Sequence, residues 1–163
     1  MTIQVSVNVF VSNTKSSSKG YKGDFVYQQT SPTDKLYVQE DGSMDLSDVS
    51  DEVQIAFVWS SPWVLVDDRI LNAMWGGPLN ANIWISEGEN STPTSGDAPP
   101  VDPGSGDFYA PTPPANQPQN LTVVDKNDDG KKYKYTLHCW VNDGTSDGTA
   151  IFDDPKVVNR SLD

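Results

Sequence analysis

Apolar and polar residues alternate without a fault over residues 2–10, with Ile3, Val5, Val7 and Val9 on one face and Thr2, Gln4, Ser6 and Asn8 on the other. A period of two held that long predicts a half-buried β-strand. Residues 11–24, dominated by Ser, Lys and Gly, read as a polar, mobile loop. Short strands follow over Phe25–Gln29 and Lys35–Gln39, around a turn at Ser31-Pro32-Thr33-Asp34. Val53, Ile55 and Phe57 alternate with Gln54, Ala56 and Val58 up to Trp59; apolar groups on both faces predict a central strand. Ser60-Ser61-Pro62 breaks it, and Trp63–Val66 resumes extended structure. The stretch 67–75 (Asp-Asp-Arg-Ile-Leu-Asn-Ala-Met-Trp) has helical potential, one or two turns near 67–74, stopped by Gly76-Gly77-Pro78. A further strand over Asn82–Ser86 sets Ile83 and Ile85 opposite Trp84.

In the last third, two alternating runs, Leu121–Asp125 and Lys132–Val141, flank Asn127-Asp128-Asp129-Gly130. An Asp-Gly turn between alternating segments is the strongest short-range hairpin signal, and it points to antiparallel pairing of the two runs. A third short strand near Ile151–Asp153 ends in Asp154-Pro155. Residues 86–120 hold most of the chain's 12 prolines. Proline donates nothing to a sheet ladder, so this segment is an excursion from the fold, with Phe108-Tyr109 as its anchor. The expectation is one all-β domain over 1–163. It is an antiparallel β-sandwich of about seven to nine strands, jelly-roll or immunoglobulin-like, with the Pro/Gly-rich excursion at 86–120.

The run Val123 to Gly130, the Tyr133-Lys134-Tyr135 alternation, and the closing Asp154-Pro155-Lys156-Val157-Val158-Asn159 resemble the pattern of small bacterial β-sandwich proteins. The strand with its Asp-Pro ending is similar to the PixA/AidA family of bacterial inclusion-body and quorum-regulated proteins. The resemblance implies a small, soluble β-sandwich without an assigned catalytic centre, and it transfers no functional residue.

Composition narrows the partners. The net charge is −12, which opposes binding to nucleic-acid phosphates and to anionic membrane surfaces. The acids are scattered over turns, as solubility and turn chemistry require, and not set in the paired rows of a DNA mimic. Cys139 is the only cysteine, read as a small buried apolar residue. The N-terminal run lacks the basic start and apolar core of a signal peptide, so a cytoplasmic protein is expected.

Asp125, Asn127 and Asp129, followed by Gly130, match the first half of a calcium loop. Thr136 stands where the bidentate Glu belongs, and a hairpin turn explains the same residues. No other cofactor is suggested. His138 and Cys139 are strand neighbours on opposite faces, which excludes a dyad, and no catalytic activity is expected. Trp59, Trp63, Trp75 and Trp84 fall close together beside Asp67, Asp68, Arg69, Asn72 and Asn80. Aromatic platforms next to carboxylates and amides suit a carbohydrate or other hydroxyl-rich ligand. The expected binding surface is Asp67, Asp68 and Arg69 with an exposed Trp75 beside Gly76-Gly77, walled by segment 88–118. A lectin-like binding module leads. The alternatives are a structural or self-assembling homo-oligomer of inclusion-body type, and an acidic inhibitor of another macromolecule.

Overall fold

The computed structural model describes residues 1–76, 82–111, 120–146 and 148–159. Gly77, Asn80 and Pro113-Pro114 lie outside them. Among the described residues twelve strands make up nearly all the regular structure: β1 Thr2–Ser17, β2 Gly20–Ser31, β3 Met44–Asp45, β4 Glu52–Trp59, β5 Trp63–Val66, β6 Arg69–Met74, β7 Ile83–Glu87, β8 Phe108–Tyr109, β9 Asn120–Asp125, β10 Lys132–Asn142, β11 Thr149–Asp153 and β12 Lys156–Val158. The fold is all-β, as the alternation predicts, with a single 3-10 turn at Ser95–Asp97 in the described part of the Pro-rich excursion.

The sheet is mixed, which corrects the antiparallel expectation. β1 and β4 run parallel over eight paired positions, from Thr2–Glu52 to Val9–Trp59. β11 with β2 and β12 with β3 are parallel as well. All strands join one sheet, whose main path runs β3-β12-β10-β11-β2-β1-β4-β9-β8. β10 is its hub, pairing with β11, β12, β6 and β7. The sheet curls, because Phe57 of β4 and Tyr135 of β10 meet at 5.8 Å between ring centroids although three strands separate them along that path. Val5, Val7, Val9, Val53, Ile55, Phe57, Tyr135, Leu137 and Cys139 are fully buried between the facing halves. Each comes from the alternating positions of its strand, so period two places the core.

Three local readings are corrected. The polar stretch 11–24 is a hairpin: β1 continues to Ser17 and β2 starts at Gly20, whose φ of 123° only glycine adopts freely. Backbone pairing there does not depend on an apolar face. Residues 69–74 form strand β6 and not a helix, because Asp67 (φ 48°) and Asp68 (φ 62°) take the left-handed pair of a type I′ turn and fold β6 back onto β5. Finally, β9 and β10 do not form a hairpin. β9 pairs with β4 and β8, while β10 lies in the opposite half. The loop between them turns inward, with Asn127 at φ 53° and 1% exposed. Its backbone N–H donates to Asp125 Oδ1 at 2.8 Å, and its side-chain Nδ2 donates to Val49 O at 2.7 Å. The loop is a crossover pinned to the core.

Candidate functional site

The β5–β6 hairpin has two unlike faces. Paired residues of antiparallel strands share a face, so Leu65 with Ile70 and Trp63 with Asn72 stand together, and Met74 follows Asn72 on the same side. The inner face buries Val64, Val66 and Ala73. The outer face leaves Trp63 65%, Leu65 59%, Ile70 72% and Met74 51% exposed. Met74 pairs with Trp140 of β10, which is half-buried, so the apolar surface continues onto the next strand. Gly76 passes over that indole so closely that a Cβ would sit 2.8 Å from Trp140 Cδ1. The Asn82 side chain clasps Gly76, accepting from its N–H at 2.6 Å and donating to its carbonyl at 2.9 Å. Four large apolar side chains on one exposed face exceed the scatter of single surface hydrophobics that needs no explanation.

An open cleft of about 450 Å³ lies at one end of this face, lined by Ser12, Asn13, Thr14, Trp63, Asp67 and Asp68 among others. Asp67 accepts a hydrogen bond from Ser16 Oγ, and Asn13 donates to Asp24 Oδ2 at 2.7 Å. Arg69 is exposed and acts on the Tyr21 hydroxyl, which itself donates to Asp143 Oδ2 at 3.0 Å. Asp67 and Asp68 line the cleft, whereas Arg69 pairs with Val66 on the other face of the hairpin. Trp75 does not join them. It is 6% exposed, meets Trp59 edge-on at 5.3 Å, and donates from its indole N–H to Phe57 O at 3.1 Å. A Gly-rich stop after it does not release it from the core, since the strand ahead of it carries its ring inward. Trp63 is the exposed indole of this region. Its signal was in the chain: Trp63-Val64-Leu65-Val66 alternates through the Asp67-Asp68 turn into Arg69–Met74.

The calcium-loop triad is dispersed. Asp125 is fully buried, the Asn127 amide serves the carbonyls of Val49 and Leu46, and Asp129 accepts from the Tyr133 hydroxyl and from Lys131 N. Among the described residues no three His, Cys, Asp or Glu side chains come together as a metal cluster.

His138 sits between Trp84, at 4.2 Å, and Phe152, at 5.9 Å. Burial holds its imidazole below the usual pKa. Cys139 faces the other way into the core, and burial pushes its thiol far above the ordinary range. Among the described residues no helix is long and apolar enough to cross a membrane.

No protein-family model and no curated protein matches this sequence. Among solved structures, the chain is similar to an inclusion body protein (PixA) from Burkholderia cenocepacia. The superposition covers 97% of this chain and 96% of that one, with a TM-score of 0.43 and 9% identity. The relation is distant and structural.

Proposed function

We propose that this chain is a non-catalytic protein that assembles with copies of itself through the outer face of the β5–β6 hairpin. The observation that carries this reading is the exposure of Trp63, Leu65, Ile70 and Met74 on one face. These four side chains offer on the order of 500 Å² of apolar surface, at the upper end for a monomer and over half of the ~800 Å² each partner gives to a standard interface. The occupant is a second copy because this face is uncharged on a chain that is strongly acidic overall. With a net charge of −12, two copies approach only where the facing surfaces are uncharged. This face supplies such a surface, its polar member being Asn72. Sedimentation velocity over a concentration series tests the reading, with Ile70→Asp as the disrupting variant.

A second reading has its own observation. Trp63 stands in the cleft beside the oxygens of Ser12, Asn13, Thr14, Asp67 and Asp68, an aromatic platform with polar groups at its rim. A carbohydrate or other hydroxyl-rich ligand suits that chemistry. A glycan array with tryptophan-fluorescence titration tests it. Ile70→Asp would leave sugar binding intact while dispersing the assemblies, and Asp67→Asn would do the reverse.

A further inference from the structure

We propose that Asp107, Asp125 and Asn159 form a site for a hard divalent cation, calcium in first place, that ties the Pro-rich excursion and the C-terminal strand to β9. Asp107 precedes β8 in the excursion, Asp125 ends β9, and Asn159 follows β12. Parts of the chain distant in sequence thus deliver three polar side chains to one buried point, where they are 8%, 0% and 2% exposed.

Asn159 Nδ2 donates to Asp107 Oδ2 and, at 3.1 Å, to Asp125 Oδ1. Among the described residues, Asp107 Oδ1 and Asp125 Oδ2 nevertheless have no hydrogen-bond partner, and neither does Asn159 Oδ1 as the amide stands. Orphaned buried oxygens on three adjoining side chains are rare in native proteins and ask for a positive partner. The nearby lysines are committed elsewhere. Lys126 Nζ binds the carbonyls of Gly104 at 2.5 Å and Gly106 at 2.6 Å, and Lys131 Nζ pairs with Glu87 at 2.8 Å. Among the described residues, the other charges facing the group, Asp128 and Asp129, are negative and add to the demand. Two buried carboxylates in contact cannot both ionise alone. They need either a shared proton or a cation between them.

The amide decides what else fits. Turning the Asn159 amide over exchanges its nitrogen and oxygen at one position. Oδ1 then stands beside both carboxylates, 3.1 Å from Asp125 Oδ1. Neighbouring ligands about 3 Å apart are what calcium–oxygen distances of about 2.3–2.6 Å produce. Calcium accepts mixed carboxylate and amide oxygens in flexible geometry, whereas magnesium requires a tighter octahedron.

The test uses the whole chain at neutral pH, with calcium titrated calorimetrically and terbium luminescence, excited through the nearby tyrosines, as a second readout. One ion per chain and a calcium-dependent rise in thermal midpoint are expected. Asp125→Asn should abolish both, and Asp24→Asn, at an exposed carboxylate on β2, should leave them. Asn159→Asp adds a third carboxylate, so that variant should melt earlier without calcium and bind the ion at least tenfold more tightly. Because it needs only calcium-dependent refolding, it decides the matter even if Asp125→Asn fails to fold. The proposal is overturned if calcium shifts neither the wild type nor Asn159→Asp, or if binding persists unchanged in a folded Asp125→Asn.

Discussion

Single side chains carry most of what the pattern could not show. Trp75 looked like a loop aromatic because Gly-Gly-Pro follows it, yet its ring lies against Trp59 and its N–H finds a backbone carbonyl. Nothing in a linear sequence separates an indole at the end of a strand from one on the loop beyond it. Truncating it removes a buried aromatic and leaves the Phe57 carbonyl unpaired. Trp75→Ala should therefore destabilise the fold by roughly 3–5 kcal/mol in denaturant titration, and a variant as stable as wild type would place the ring outside the core. His138 gives a pH-dependent outcome. Its folded pKa is lowered by burial, so as pH falls the unfolded chain takes up the proton first. The stabilisation is complete above the ordinary histidine range and lost as pH drops below about 6.5. Between pH 7.5 and 5 the wild type should lose more thermal midpoint than His138→Gln. Equal losses in both would show that the imidazole stays neutral or is equally solvated in both states.

At the scale of elements, alternation identified β1, β4, β5, β7 and the members of the core, because period two depends only on which side chains face inward. Pairing was less legible. The Asn-Asp-Asp-Gly run is turn chemistry in both readings, but whether a turn returns to its neighbour or crosses the core depends on Asn127 reaching Val49, a contact 78 positions away in sequence. The parallel β1–β4 pair likewise has no local signature, since the register of distant strands is set by the core they share. The β5–β6 hairpin was hidden by a period judged helical over a short window. Its Asp-Asp turn fits a type I′ geometry that glycine and asparagine adopt more readily. Asp68→Gly should raise stability by a few tenths to about 1 kcal/mol by relieving the left-handed residue. A loss of stability would mean the Asp68 carboxylate makes a contact that outweighs the strain. The candidate surface was half legible for the same reason: Asp67 and Asp68 read as turn residues in the chain, while Trp63, Leu65 and Ile70 share a face only in the folded hairpin.

For the whole molecule, charge and apolar surface oppose each other. A net charge of −12 makes copies repel, while the face proposed as their contact is uncharged. Salt decides the balance, because raising ionic strength from about 0.01 M to about 1 M shrinks the Debye length from about 30 Å to about 3 Å. Self-association should therefore strengthen with added salt, the reverse of an interface held by ion pairs, and light scattering across a salt series checks the sign. Calcium at the proposed site reduces the magnitude of the negative charge and favours the same direction. The most direct test of the account is sedimentation velocity of wild type and Ile70→Asp over a concentration series in high salt. The account predicts wild-type species that grow with concentration, and a variant that stays monomeric with an unchanged thermal midpoint. A wild type that is monomeric at every concentration, or a variant that assembles equally well, would contradict it.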